Sequence, residues 1–486
     1  MTEEQPPATK RVVPIKAVVD EKSDNAGLYE AHARVQARSI RGTFARWRWV
    51  MVILTQLFFY VMPWLDWGGR QALLLDVSSR RFYLLGLVLY PQDLIYLTGL
   101  LVVSALSLFL FTAVAGRLWC GYACPQSVYT EIFMWVEHWT EGDRSARIRL
   151  DRSGWTGEKI IKRGSKQIIW VLIALWTGVT FVGFFTPIRQ LVSALPSFSM
   201  GPWEGFWILF YGFTTYLFAG FMREQVCKYM CPYARFQGAM FDRDTLIVTY
   251  DEARGEPRSA KLSPKKSENE SIRGQSSAAG DCIDCSLCVQ VCPTGIDIRK
   301  GLQYECIGCG LCVDACNSVM DRVHRPRGLI RYATLNSMVQ GASRKSVIAH
   351  IFRPRVLIYS AILWLLVLAL IVSLALRTPF RADVVRDRVA LARITDSGQI
   401  ENIYQVQIMN ASEKPIVFRI TARGLKGLQT LYSAPVTVNS AATKWVPVQL
   451  QIPMDSAAPG VHRIDFDVQS PDGKVVSSRS TFIVMQ

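Results

Sequence analysis

Five long uncharged runs, two tight runs of cysteine and a cysteine-free tail of alternating residues predict a polytopic α-helical membrane protein with a cytosolic cysteine-rich insertion and a C-terminal all-β sandwich. Composition agrees. Of 486 residues half are hydrophobic and only 19% are charged, which excludes a disordered chain or a small secreted domain. The net charge of +16 admits either a nucleic-acid partner or a membrane protein that retains its lysines and arginines on the cytosolic side, and the position of the charges decides between them.

A hydrocarbon core about 30 Å thick needs about 17 to 25 uncharged helical residues. Residues 49–65, 94–116, 167–188, 205–222 and 356–376 qualify, with 17, 23, 22, 18 and 21 residues. The first and fourth are the shortest, and a buried soluble helix is their alternative, but Trp47, Trp49, Trp64, Trp67, Trp203 and Trp207 flank them as interfacial anchors do. A sixth uncharged stretch, 82–92, is too short to span and contains Pro91, so it reads as interfacial, re-entrant or extended. Asp93 opens the second span. It reads as an N-cap, with a proton or quinone site as the alternative.

Lysine and arginine counts alternate between the spans: 9 in the N-terminal segment 1–48, then 3, 9, 1 and 20 in the loops, and 13 in the tail. Long domains translocate largely regardless of charge, so the loops decide, with the N-terminus cytosolic and the C-terminus outside. Cytosolic segments hold 38 basic and 26 acidic residues. The excess is therefore topological, and no nucleic-acid partner is required. The first 45 residues lack an apolar signal-peptide core, so the first span is expected to serve as an uncleaved signal. Residues 49–250 form the expected membrane domain. Residues 251–280, rich in Ser, Lys, Glu and Gly, form an expected flexible linker.

Eight of the 12 cysteines follow in two runs, each C-x2-C-x2-C-x3-C: Cys282, Cys285, Cys288, Cys292 and Cys306, Cys309, Cys312, Cys316. This is the two-cluster ferredoxin spacing, in which the fourth cysteine of each run serves the other cluster. One [4Fe-4S] site would use Cys282, Cys285, Cys288 and Cys316, and the other Cys306, Cys309, Cys312 and Cys292. Structural zinc prefers separated ligand pairs, and disulfides do not persist in the cytosol. The expected ferredoxin-like domain is 281–330, a compact insertion. Asn317 stands where proline usually follows the fourth cysteine and is expected to loosen that turn.

The other four cysteines form a repeated motif, Cys120-Gly-Tyr-Ala-Cys124-Pro125 and Cys227-Lys-Tyr-Met-Cys231-Pro232, each just beyond a span that ends in Arg117 or Arg223. Proline disfavours helix at the residue before it, so each pair is expected to straddle a break. Cysteine at a helix N-terminus has a lowered pKa, and thiolates are soft ligands for Cu(I) or iron–sulfur centres. A four-thiolate metal or redox site is one reading. Buried inert thiols are the other. Met222 and Met230 read as packing rather than thioether ligands, and His138 as a surface or interface residue.

Beyond the fifth span, residues 378–486 alternate with period two, as in Tyr404, Val406 and Ile408, in Val446, Val448, Leu450 and Ile452, and in Ile464, Phe466 and Val468. Turn signals recur between them. Roughly seven strands fit an immunoglobulin-like sandwich. It has one histidine, His462, and no clustered acids, which suits a docking module better than a catalytic one.

The segments 86–93, 116–126, 292–299 and 328–332, together with Cys227 and Cys231, resemble the CcoG family, also called FixG or RdxA, accessory proteins of cbb3-type cytochrome c oxidase assembly. The resemblance implies a bacterial inner-membrane cupric reductase that supplies Cu(I) for oxidase maturation and has an immunoglobulin-like periplasmic tail. Electrons would pass through two [4Fe-4S] clusters to copper at or near Cys120, Cys124, Cys227 and Cys231. A copper chaperone or transporter and oxidase assembly proteins would be the partners, with the electron donor unspecified. Two alternatives stand beside it: a quinol-linked electron-transfer subunit, similar to membrane ferredoxins with the same paired C-x3-C-P motif, and a non-redox assembly scaffold.

Overall fold

The computed structural model describes residues 35–259, 280–340, 352–387, 392–395, 397–431 and 434–485. Most of the expected N-terminal segment and of the expected linker lies outside the described residues. Among the described residues, four helices are long and apolar enough to cross a membrane: Pro91–Ala115, Gly157–Val182, Pro202–Met230 and Pro354–Ala375. The first expected span, 49–65, overlaps α1, Thr43–Val61, which does not meet the same apolar threshold, and its last residues form a separate turn, Met62–Trp64. The difference is Arg46 and Arg48, which fall inside the helix. Arg48 is buried there because it pairs with Glu131 at 3.0 Å.

The 22 residues of α2, Leu94–Ala115, span roughly 33 Å. At its start Tyr90 donates a hydrogen bond to the Asn410 carbonyl of the sandwich at 3.0 Å, and Gln92 donates to Asp383 at 3.2 Å. At its end the Ala113 carbonyl accepts from Thr245 and Arg353, and the Val114 carbonyl from Leu246. The sandwich and the cysteine-rich unit thus sit at opposite ends of this helix. A second connection is α1, whose Ala45 N–H donates to Asp314 of the cysteine-rich unit at 2.8 Å. Beyond its other end Trp67 donates to Glu413 of the sandwich at 3.1 Å.

The helices Gly157–Val182 and Pro202–Tyr216 cross with backbones nearly touching. A Cβ on Gly178 would meet the Ile208 carbonyl at 2.3 Å, so only glycine permits the approach.

Residues 82–92 form strand segments joined by a tight turn and end in a helical turn at Pro91–Asp93. Strands Leu73–Asp76, Arg81–Leu84 and Leu87–Leu89 form an antiparallel sheet, and Leu74, Tyr83, Val88 and Tyr90 pack on Met409, Ala411 and Ala441 of the sandwich. Asp93 stands at the N-cap position of α2, but its side chain does not cap that helix. It accepts instead from the Tyr90 N–H at 3.1 Å and pairs with Arg377 and, at 2.6 Å, with Arg381. A fully buried carboxylate needs such compensation. Asp93 thus caps the turn Pro91–Asp93 that leads into α2, and it is ion-paired as well.

The sandwich has one sheet ordered Gln429–Thr430, Thr443–Pro453, Gln399–Asn410, Phe380–Arg386, with Arg393–Ile394 also pairing with Gln399–Asn410. The facing sheet is ordered Val436–Val438, Ile416–Arg423, Gly460–Gln469, Val475–Val484. Every alternating apolar residue singled out in the sequence, from Tyr404 to Val468, is buried in the core between them.

The cysteine-rich unit is larger than 281–330. Strand Ile247–Tyr250 pairs antiparallel with Ile330–Ala333, from Ile247 opposite Ala333 to Tyr250 opposite Ile330. Residues 251–259 are not linker-like either. The Asp251 side chain caps helix Glu252–Gly255, Arg254 pairs with Asp281 at 2.6 Å, and the Ser259 N–H reaches the Cys282 carbonyl. Local polarity hid this because the partners are supplied by distant residues. Asn317 loosens nothing: helix Leu311–Arg322 runs through it, and its side-chain oxygen accepts from the Gly328 N–H at 3.0 Å.

Candidate redox centre

The two cysteine runs fold alike. In Cys282-Ile-Asp-Cys-Ser-Leu-Cys288, Asp284 and Ser286 adopt left-handed backbone at φ 47° and 53°. In Cys306-Ile-Gly-Cys-Gly-Leu-Cys312 the corresponding Gly308 and Gly310 do so at 63° and 74°. Each loop then enters a helix, Leu287–Gln290 or Leu311–Arg322. In the second loop glycine is also needed for space. A Cβ on Gly310 would meet Phe44 and the Tyr332 hydroxyl at 2.9 Å, and one on Gly308 the Arg117 backbone at 3.2 Å.

Two small cavities result. Cys282, Cys285, Cys288 and Cys316 line one, with Tyr250, Leu287 and Ile330. Cys292, Cys306, Cys309 and Cys312 line the other, with Cys288 also at its wall and with Ile296, Ile298 and Ile307. Burial pushes the Cys288 and Cys309 thiols up to about 11 and those of Cys306 and Cys316 up to about 12. A guanidinium opposes the shift at three of these: Arg299 at Cys288, Arg48 at Cys309 and Arg117 at Cys306. Four sulfurs around a small apolar hole, with cations nearby, fit an iron–sulfur cubane in each cavity.

Each of the two motifs breaks where proline requires. Cys120 lies in α3, Leu118–Tyr122, and Cys124 is the N-cap of α4, Pro125–Glu141. Cys227 lies in a π-helical turn, Val226–Met230, and Cys231 is the N-cap of helix Pro232–Met240. The four thiols are close enough to interact electrostatically, Cys120 with Cys124 and Cys231, and Cys227 with all three. Gln237 donates to the Cys120 sulfur at 3.2 Å. At Cys124 the expected lowering of thiol pKa at a helix start is overruled. Burial pushes Cys120 up to about 11 and raises Cys124, against the hydrogen bond from Gln237 in the first case and the Ser127 and Gln126 N–H groups in the second. Among the described residues, no three His, Cys, Asp or Glu side chains close on a single-ion site. The thiols are gathered, and holding one ion requires them to turn inward.

The repeated motif and the second loop are in direct contact. Gly121 touches the loop so closely that a Cβ would lie 2.9 Å from the Cys309 Cα and the Ile307 carbonyl. Tyr122 donates to the Cys309 carbonyl and Arg117 to the Cys306 carbonyl, both at 3.1 Å. Arg117 also feels the charges of Cys306, Cys120 and Cys227. Behind the motif Glu137 pairs with Arg147 at 2.9 Å and Arg223 at 2.7 Å, and Gln126 donates to the carbonyls of Phe218, in the π-helical segment Leu217–Met222, and of Arg223 just after it. Arg48 and Gln237 carried no sequence signal, and although Arg117 and Tyr122 belong to the repeated motif, their partners on the second loop lie 189 and 187 residues away. Met230 is half exposed. His138 lines a pocket with Glu131, Asp143 and Pro293 that no thiol enters.

Family models match three stretches: a 4Fe-4S binding domain over residues 97–143, a 4Fe-4S dicluster domain over 222–335, and the IG-like fold at the C-terminus of FixG over 370–485. The chain is 38% identical over 430 residues to nitrogen fixation protein FixG of Rhizobium meliloti (strain 1021), covering 82% of this chain and 80% of that protein. It is 40% identical to protein RdxA of Cereibacter sphaeroides over 442 residues, covering 88% and 91%, and 41% identical to protein RdxB of the same organism over 425, covering 86% and 87%. A crystal structure of a FixG-related protein from Vibrio parahaemolyticus aligns at 20% identity and a TM-score of 0.21, covering 22% of this chain and 97% of that one. With three relatives near 40% identity over most of its length, the chain belongs to the FixG/RdxA family, also called CcoG, of membrane-associated iron–sulfur proteins.

Proposed function

We propose that the protein is a cupric reductase of the bacterial inner membrane that converts Cu(II) to Cu(I) for cbb3-type oxidase assembly. The observation that carries this is the contact between α3 and the Cys306–Cys312 loop, which sets four soft thiols beside a cavity of four more. Cys282, Cys285, Cys288 and Cys316 would hold one [4Fe-4S] cluster, and Cys306, Cys309, Cys312 and Cys292 the other. When bound, the clusters supply electrons one at a time, which suits the step Cu(II) + e⁻ → Cu(I). Cys120, Cys124, Cys227 and Cys231 receive copper as substrate. Their sulfurs stabilise Cu(I) over Cu(II), and each thiol releases its proton on binding. Arg117, between Cys306 and Cys120, offsets negative charge on both sides of the transfer.

The loop charges and the opposite placement of the two domains along α2 support a topology with the cysteine-rich unit cytosolic and the sandwich periplasmic. They also support α1 as a fifth span, its Arg48 neutralised by Glu131. A copper chaperone or transporter would take the product.

The test is anaerobic Cu(II) reduction by purified, dithionite-reduced protein, read with a Cu(I)-specific chelator. Substituting serine at Cys120, Cys124, Cys227 and Cys231 together is expected to abolish the reaction and leave the iron content intact. An unchanged rate would exclude these thiols.

A further inference from the structure

The two thiol motifs are preceded by the same backbone bend. Gly116 ends α2 at φ 57° and ψ −122°, and Arg223 interrupts the helix Pro202–Met230 at φ 30° and ψ −102°. Each stands four residues before the first cysteine of its motif, Cys120 or Cys227. A positive φ with ψ near −100° lies far from the left-handed region that other residues visit, and it is essentially a glycine conformation. In the first copy glycine is present, and a Cβ on Gly116 would meet the Leu246 carbonyl at 2.6 Å. In the second copy an arginine adopts the bend. Such strain persists only where the surroundings over-determine it.

The surroundings of Arg223 do so. Its buried guanidinium pairs with Glu137 at 2.7 Å and lies 5.6 Å from the centre of the Trp170 ring, and its Nε donates to the Gly220 carbonyl at 3.1 Å. Its own carbonyl accepts from Gln126 at 3.1 Å. Gln126 and Glu137 both belong to α4, whose N-cap is Cys124. One helix therefore carries a thiol of the first motif and clamps the bend that precedes the second. Charge balance does not explain the clamp. Without Arg223, Glu137 still has Arg147 at 2.9 Å and Lys166 at 3.9 Å, and Lys166 has Glu141 at 2.7 Å. Arg223 adds a third cation to two buried carboxylates, and an excess buried charge is costly. The chain is π-helical on both sides of Arg223–Gln225, at Leu217–Met222 and Val226–Met230, so no continuous α-helical ladder carries the direction of the span through to Cys227.

We infer that Arg223 is the positioning residue of the second thiol pair: Glu137 and Trp170 hold its side chain so that its bent backbone turns Cys227 and Cys231 toward Cys120 and Cys124. The inference rests on the four-thiol copper site proposed above for its purpose and on the bend and its clamp for its geometry. An ordinary α conformation at residue 223 would rotate the turn that follows and swing Cys227 away from the other three thiols, with which it now interacts.

The experiment uses the full-length protein in detergent with its clusters in place, and dibromobimane, which becomes fluorescent on joining two nearby thiols. Peptide mapping identifies the bridges that link 120–124 to 227–231. Helix propensity ranks glycine below alanine, so an ion pair that only stabilises the fold predicts that Arg223→Gly is no better than Arg223→Ala. Positioning predicts the reverse order. Glycine takes up the bend as Gly116 does and keeps the hydrogen bond from Gln126, so Arg223→Gly is expected to cross-link within about threefold of the native rate, the cost of its extra freedom. Arg223→Ala keeps the strain and loses the anchor. It is expected to cross-link roughly tenfold more slowly and to bind Cu(I) roughly tenfold more weakly against bathocuproine disulfonate, as strain of this kind predicts, with the iron content of both variants unchanged. Glu137→Gln is expected to slow cross-linking by itself and to add nothing to Arg223→Gly. Cross-linking of Arg223→Gly at or below the rate of Arg223→Ala overturns the inference, as does a native rate in Arg223→Ala or the lack of any bridge between the motifs in the native protein. If Arg223→Ala does not retain its iron, Arg223→Gly decides alone: a rate near the native one supports the inference and a tenfold loss overturns it. Cross-linking involves no copper. The expected order of rates in a protein that binds Cu(I) no better than its Cys120→Ser/Cys124→Ser/Cys227→Ser/Cys231→Ser variant refutes the copper site and leaves the positioning role standing.

Discussion

The two cysteine loops share one backbone path and differ in almost everything around it. In the first, Cys285 is exposed, the left-handed positions are Asp284 and Ser286, and Arg299 is held between the exposed Asp284 and Asp297. In the second, Cys309 is buried, the same positions are glycines, and Phe44, Arg117, Tyr122 and Tyr332 press on the loop. The geometry that directs thiols inward is therefore tolerant of side chains where it faces water. It demands glycine only where helices close over it. The sealed loop is the one that touches the membrane-side thiols, so low dielectric and close approach are concentrated at that junction.

Four substitutions would break or sharpen this contrast. The largest effect is expected from Gly310→Ala, whose Cβ has no room beside Phe44 and Tyr332 at φ 74°. The protein should retain about half of the roughly eight irons of two cubanes, measured by iron content and visible absorbance, and full iron content would erase the distinction. Next is Arg48→Met, which leaves the partly buried Glu131 carboxylate unpaired at a cost of about 3 kcal/mol, the low end for a buried pair. Adding Glu131→Gln should recover much of the lost thermal stability. In that double variant, redox titration by electron paramagnetic resonance should find the potential of one cluster lowered and the other unmoved. Equal shifts at both would mean that Arg48 does not belong to the sealed loop.

A smaller effect is expected from Gly121→Ala, which pushes α3 away from Cys309 and Ile307. Cupric reduction should slow roughly tenfold, as expected for a modest misplacement of reacting groups, while reduction of the clusters by dithionite is unchanged. A parallel loss of iron would show that the contact builds the cluster site itself. The smallest is Ser286→Gly in the exposed loop. Relief of the left-handed strain and the extra entropy of the unfolded chain nearly cancel, so stability should change by less than about 1 kcal/mol. A large gain in melting temperature would show that the first loop is strained after all.

Much of the sandwich was legible because strand burial repeats every second residue, and Tyr404, Val406 and Ile408 announce a buried face within five positions. The thiol spacings were legible for the same reason, since C-x2-C-x2-C brings ligands together within one turn of chain. The first span was misplaced because Arg48 reads as a boundary when its neighbours in sequence are counted, whereas Glu131 makes it part of the helix. The linker was drawn too long because Asp251 and Arg254 look like solvated charge until Arg331 and Asp281 are brought to them. The ion pairs of Asp93 went unread because Arg377 and Arg381 lie nearly 300 residues away in the chain.

The sequence by itself determined what is local: apolar runs near the thickness of a bilayer, a beaded pattern of thiols, and a tail of alternating strands. Only the tertiary structure decided which of these meet. It set Cys120 and Cys227 against the loop that carries Cys306 and Cys309, and buried Arg48 and Arg117 beside that loop. The physical reason is that periodicity and spacing are written in neighbouring residues. Burial, ion pairing and close backbone approach are properties of surfaces that the chain brings together from far apart.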